Sequence, residues 1–415
     1  MARLRSRGRA RRRRIALAVV VLGAFAAPSA TAASLPVLPH GWPKTLQLGL
    51  TDGPGDARAL HASAPFGLRY QYLAGGANTG SGWSTWNPDG SFVTMYVAES
   101  RAAHEIPVFT YYQLLQSKPG GGDEAHADLA NLQNADTMGA YWADLATFFR
   151  RSKGSTPVVL HVEPDLWGYI EQASSNDDAA SVPAVVPDGL AQNAAGFAQE
   201  FVHLRDQLAP NVILAWHMSG WGTKHDIAIE DPPDRTVVGY ATRSAAFYRS
   251  LGAAFDLSFE DFSDRDAAFY EKVEHVSTAW FTGADFHRHL LYGRTFVRLA
   301  GIRMAAWQIP LGNTKMRAMD DTTGHYQDNR VQWLLDGASG RAHLRAYVKA
   351  GYVAFLFGGG AGGTTCACDG QKDGVTNPVP IGANTRMSLS ADDDGGFFRS
   401  LVRAYYRRGA IRLST

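Results

Sequence analysis

Along the chain, short runs of apolar or alternating residues recur, and stretches with helical spacing of apolar positions lie between them. The short runs cover 46–52, 68–75, 107–114, 157–165, 212–220, 255–262, 303–311 and 352–360. The helical stretches cover 92–104, 126–150, 189–208, 243–251, 286–299, 341–350 and 395–407. Alternation with period two marks strands, and spacing near 3.6 marks amphipathic helices. Strands separated by helices pair in parallel through crossovers, so the pattern predicts a single closed (β/α)8 barrel of the TIM type. A doubly wound open sheet is the rival, but no glycine-rich phosphate loop follows the first strand.

Connection lengths point the same way. Joints from helix to strand are one or two residues, at 210–211, 253–254, 301–302 and 351. Joints after strands are long, at 75–91, 115–125, 166–188, 221–242, 312–325 and 361–394. Long βα loops gathered at the C-terminal face of a barrel are where binding sites are built.

Alternation also assigns faces. In the fourth strand Val158, Leu160 and Val162 turn outward, leaving Val159, His161, Glu163 and Asp165 for the lumen. The fifth strand offers Ala215, His217 and Ser219 to the lumen, and the sixth offers Ser258 and Glu260, with Leu257 and Phe259 outward. In the first, Gln47, Gly49 and Thr51 oppose Leu46, Leu48 and Leu50; in the seventh, Met304, Ala306 and Gln308 share a face.

Composition adds a core-forming chain: 415 residues, 45% hydrophobic and 19% charged, outside the disordered class. The formal charge of +1 hides an asymmetry, because residues 1–14 carry eight Arg and no acid. An apolar stretch at 15–27 and a small-residue run at 29–33 follow, which is the order of an export signal. The apolar stretch is shorter than the ~20 residues that span a bilayer. The expectation is therefore a signal peptide at 1–33 and a barrel domain at 34–415, secreted or extracytoplasmic, with no stable membrane anchor after cleavage. Without residues 1–33, 32 basic residues face 39 acidic ones. A net acidic chain lacks the clustered cations that nucleic acid requires. Cys366 and Cys368 are the only cysteines, a strained ring or two thiols rather than a framework.

Carboxyls inside a barrel are costly unless paired or used. Strands four and six are alternate strands of such a barrel, so Glu163 and Glu260 are read as a catalytic pair for glycoside hydrolysis. Asp165 shares the row of Glu163, while Asp261 and Asp264 take over if the sixth strand slips by one residue. His161, His217, Gln308 and Asn313 are candidate substrate contacts. Trp83, Trp86, Tyr112, Trp167 and Trp221 gather near the same strand ends, and amphipathic rings suit the C–H faces of sugars. The expected partner is a polysaccharide or oligosaccharide, with no cofactor and no metal signature.

The chain resembles secreted bacterial (β/α)8 glycoside hydrolases over most of residues 45–408. Val162-Glu163-Pro164-Asp165-Leu166 resembles the Glu-Pro step that ends the fourth strand of the large retaining clan, where the Glu is the acid/base. It is also similar to a Glu-Pro-Asp step in an inverting cellulase family. Two positions depart from the retaining pattern: Val162 stands where that clan has Asn, and Ala306-Trp307-Gln308-Ile309-Pro310 lacks its seventh-strand Glu. The run from Trp307 to Thr314 reads as a distinct, glycosidase-like subgroup. The first reading is a glycoside hydrolase with Glu163 as general acid and Glu260 as base or nucleophile. A non-catalytic carbohydrate-binding barrel is the second. A metal-dependent hydrolase or isomerase using His161, Glu163, His217 and Glu260 is the third.

Overall fold

The computed structural model describes residues 34–414 apart from 56, 228, 264, 316–318, 320, 323 and 359–395. The expected export signal, Asp264 and the Cys366/Cys368 pair lie outside the described residues. Residues Leu35–Thr415 form one body. Its strands are β1 (Gln47–Thr51), β2 (Leu68–Ala74), β3 (Ile106–Tyr112), β4 (Val158–Val162), β5 (Val212–Met218), β6 (Leu257–Asp261), β7 (Met304–Pro310) and β8 (Tyr352–Gly358). They close in chain order, every neighbouring pair parallel, with β8 back on β1. The molecule is the single (β/α)8 barrel that the hydrophobic pattern predicts.

Helices differ from expectation where polar caps act. The stretch at 126–150 is two helices, Glu124–Leu132 and Ala135–Ser152. Asn134 divides them by accepting the Thr137 amide at 2.9 Å, which satisfies a donor that a helix start leaves free. The stretch at 189–208 begins only at Ala194, behind the Asn193 cap, which accepts the Gly196 amide at 3.1 Å. A first crossover helix, Ala57–Ser63, has too few apolar positions to show in the pattern.

The lumen is more aromatic than a polar-in rule implies. Phe259 and Trp307 lie 4.5 and 4.7 Å from the His161 ring, so β6 and β7 turn these rings inward. The expected inward face of β6, Ser258 and Glu260, is thereby reversed: Glu260 meets His289 of the helix Gly283–Ala300. Outward residues such as Trp216, stacked on Phe296 at 5.7 Å, form the layer between sheet and helices. Burying one such ring contributes about 1.5–3 kcal/mol.

The N-terminal ends of the strands are closed by the chain itself. Thr45 bridges Arg412, Tyr405 donates to the Leu46 carbonyl at 2.9 Å, and fully buried Arg303 donates to Ser414 at 2.6 Å and to Pro36.

Candidate active site

At the opposite, C-terminal ends of the strands lies a cavity of about 650 Å³. Its wall takes Tyr72 from β2, Tyr112 from β3, Glu260 and Asp261 from β6, and Trp307 and Gln308 from β7. Asp165 enters from the turn after β4, Tyr169 from the helix Leu166–Ala173 that follows it, and Trp221 from the loop after β5.

Left-handed backbone decides which side chains reach it. Glu163, Asp165 and Gln308 have φ of 42°, 68° and 53°, a region that costs side-chain-bearing residues about 1–3 kcal/mol each. β4 consequently stops at Val162, and Glu163 leaves the lumen row that simple alternation assigns to it. Its carboxylate lies under the loop after β3, 3.2 Å from the Gln113 amide and 3.3 Å from the Leu114 amide, beside the Tyr141 hydroxyl. It is fully buried and does not line the cavity. Burial pushes it up to about 8, against the amides, which favour the anion.

Asp165, two residues on, does face the cavity. Burial, then the charge of Asp261, push its carboxyl up to about 7, while the charge of His217 pulls the other way. The Tyr112 hydroxyl lies 3.1 Å from Glu124 Oε1 and 3.3 Å from Asp165 Oδ2, with one hydrogen to give. Asp261, at the end of β6, receives His217 Nε2 at 3.0 Å. His217 Nδ1 is 2.9 Å from His161 Nε2, and His161 Nδ1 is 3.3 Å from Thr110 Oγ1. Burial would lower His217, but the charge and hydrogen bond of Asp261 outweigh it and hold the imidazole above its ordinary value. His161 is held well below its ordinary value by burial and by the charge of His217.

Glu260 and His289 also line the cavity, and Glu260 is almost fully buried. Its Oε1 lies 3.3 Å from His289 Nε2. Burial drives the Glu260 carboxyl well above the carboxylate range and takes His289 down to about 3, so this pair is neutral rather than ionic.

Of the remaining expected contacts, Gln308 lines the cavity and donates to the Tyr72 hydroxyl at 3.2 Å. Its left-handed φ and the register shift between Ala306 and Ile309 bring it there, not alternation. Trp221 also lines the cavity, 4.9 Å from the Tyr169 ring. Trp83 is buried and donates to Asp144 at 2.8 Å, and Trp167 is buried and donates to the Val162 carbonyl at 3.0 Å. Trp86 is 61% exposed and packs edge-on against Phe92. Asn313 is buried in its own loop, accepting the Lys315 amide at 2.9 Å. None of these last four lines the cavity. The sequence reading overlooked Tyr72, Glu124, Tyr169 and Trp307. Tyr72 and Trp307 were within reach, since each alternates with another residue of the lumen, Tyr70 and Ala305. Among the described residues, no three His, Cys, Asp or Glu side chains gather to hold a metal ion, and no helix is long and apolar enough to cross a membrane.

No family model and no curated protein matches this chain. Solved structures do. A modular endo-beta-1,4-mannanase of glycoside hydrolase family 26 from Cellulomonas fimi aligns over 89% of this chain and 72% of its own, with a TM-score of 0.50 and 14% identity. An exo-beta-1,4-mannosidase from an Opitutaceae bacterium aligns over 90% of this chain and 62% of its own, with a TM-score of 0.50 and 10% identity. At such identity the likeness is one of fold.

Proposed function

We propose that this chain is a glycoside hydrolase acting on a polysaccharide or oligosaccharide, with Asp165 as general acid and Asp261 as base or nucleophile. One observation carries the reading: two carboxyls of the same cavity stand in different surroundings, one buried beside a like charge and one hydrogen-bonded to a histidine. Burial and the charge of Asp261 push Asp165 up to about 7, whereas Asp261 accepts from His217 Nε2 at 3.0 Å, and its charge raises that histidine's affinity for its proton. An oxocarbenium-like transition state needs a proton donor at the leaving oxygen and a carboxylate on the other partner of the reaction. The first assignment, Glu163 with Glu260, gives way to this pair because Glu163 does not line the cavity and Glu260 is taken up by His289. Glu163 then serves the site by holding the amides of the loop that follows Tyr112.

The walls favour a neutral sugar over a uronate or sulfated one. Glu124, Asp165, Asp226, Glu260 and Asp261 all line the cavity, and its Arg330 is neutralised by Asp328. Trp221, Tyr169, Tyr72 and Trp307 supply ring faces for sugar C–H groups. A polymeric substrate also fits the export signal read at 1–33.

The test is product release from a panel of neutral glycans, β-1,4-mannan among them, by wild type, Asp165→Asn and Asp261→Asn. Each substitution lowers turnover at least ~100-fold. Wild-type rates in both would sink the assignment. A second reading, a barrel that binds sugar without cleaving it, is favoured by Gln308 standing at the end of β7, where the retaining resemblance expects Glu. Calorimetric binding with no product after long incubation would decide for it.

A further inference from the structure

The hydrogen bonds of His217 do not end at His161. Asp261 Oδ2, His217, His161 and Thr110 Oγ1 form a line across β6, β5, β4 and β3, with successive separations of 3.0, 2.9 and 3.3 Å. His161, His217 and Thr110 are all fully buried. The groups facing the two imidazoles are few. Asp261 and Asp165 bear on His217, Phe259 and Trp307 pack on His161, and Trp307 also meets His217 edge-on.

We propose that Thr110 and His161 are positioning residues of the site, which hold His217 as a double donor toward Asp261 through a hydrogen-bond chain that reverses when His217 gives up its proton. This rests on the reading of Asp261 as the working carboxylate.

The chain has two arrangements, each with one hydrogen between every pair of heavy atoms. With His217 charged, Nε2–H points to Asp261 and Nδ1–H points to His161 Nε2. His161 must then be neutral and carry its hydrogen on Nδ1, donated to the Thr110 oxygen. When His217 is neutral, its Nε2–H still serves Asp261, but its Nδ1 has become an acceptor. His161 answers by carrying its hydrogen on Nε2, and Thr110 turns its hydroxyl to donate to His161 Nδ1. One proton leaves to water, no heavy atom moves, and His161 is never charged. A hydroxyl is the terminus this needs, because it both donates and accepts. His161 packed between Phe259 and Trp307 has no room to swing to another partner.

The consequence is that His217 never offers a free lone pair to the cavity. Proton acceptance there belongs to Asp261, and His217 holds the compensating charge.

Two-dimensional 15N–1H spectra of the imidazoles in the intact protein test the chain without any substrate. Wild type is expected to show His217 protonated on both nitrogens at pH 6, with His161 neutral and protonated on Nδ1. As pH rises, His161 changes to the Nε2–H form with the midpoint at which His217 titrates. Thr110→Val, which keeps the shape but can neither accept nor donate, removes the partner of His161 Nδ1 in both arrangements, so the His161 Nδ1–H proton resonance at pH 6 moves upfield by losing its hydrogen bond. Thr110→Ser restores it. A His161 tautomer that ignores the titration of His217, or an Nδ1–H resonance unmoved in Thr110→Val, overturns the proposal. If the spectra behave as expected while Asp261→Asn keeps full turnover, the chain stands and the role given to Asp261 fails.

Discussion

The ends of β4 and β6, with β5 between them, each carry two carboxyls that the fold treats differently. On the β4 side, Glu163 is sealed beneath the loop after β3 while Asp165 opens on the cavity. On the β6 side, Glu260 pairs with His289 at the cavity wall, both almost fully buried, while Asp261 meets His217 in the lumen. Both sealed carboxyls are pushed toward the neutral acid by burial. The cavity pair differs in having His217 as a partner, which lies 3.0 Å from Asp261 and whose charge opposes the rise of Asp165. Environment rather than residue type therefore separates a structural carboxyl from a working one, and Glu is not favoured over the shorter Asp.

The largest effect that would break this contrast is on turnover. Asp165→Asn is expected to cost at least ~100-fold in kcat/KM, and Glu163→Gln less than about 5-fold, because the amide preserves the shape of a protonated Glu. Comparable losses in steady-state assays would erase the distinction. Next is the pH profile. A general acid at about 7 must be protonated to work, so kcat/KM falls as pH rises through that value. The Tyr112 hydroxyl favours the Asp165 anion, so Tyr112→Phe moves this alkaline limb upward by up to about one unit.

A smaller effect is on stability. The folded pKa of Glu163 lies at about 8, above the ordinary range near 4.3 of an unfolded chain. Its contribution is complete below the unfolded value and is lost as pH rises through the folded one. Thermal unfolding should show Glu163→Gln gaining on wild type by about 1 kcal/mol or more at pH 8.5, and little at pH 4. Smallest is Trp86→Ala, which should change stability by no more than about 0.5 kcal/mol and leave KM alone, while Trp221→Ala raises KM. Equal KM effects would place Trp86 at the sugar after all.

The barrel was legible because period-two and period-3.6 patterns are set by burial, which operates all along the chain. The inward positions of His161 and His217 were legible for the same reason, although both are fully buried and neither lines the cavity as a substrate contact would. Asp165 lies past the end of β4 at a φ of 68°, where alternation no longer holds. Glu163 was misplaced because alternation holds only while the backbone stays extended, and a φ of 42° turns the side chain out. Gln308 reached the cavity through the same kind of irregularity, on a face that alternation gives to the outside. The reversal of β6 has another cause: the rule that polar residues face the lumen fails where two histidines are packed by Phe259 and Trp307. The aromatic candidates were read from loop position alone, which does not distinguish a ring that caps the core, such as Trp167, from one that faces the cavity, such as Trp221.

Arg303 joins the carbonyls of Pro36 and Ser414 beneath the barrel, on the far side from the cavity. A surface or partner attached through either end of Leu35–Thr415 would therefore hold the barrel with its mouth turned outward. An immobilised or displayed form would keep access to a polymer too large to enter from the side.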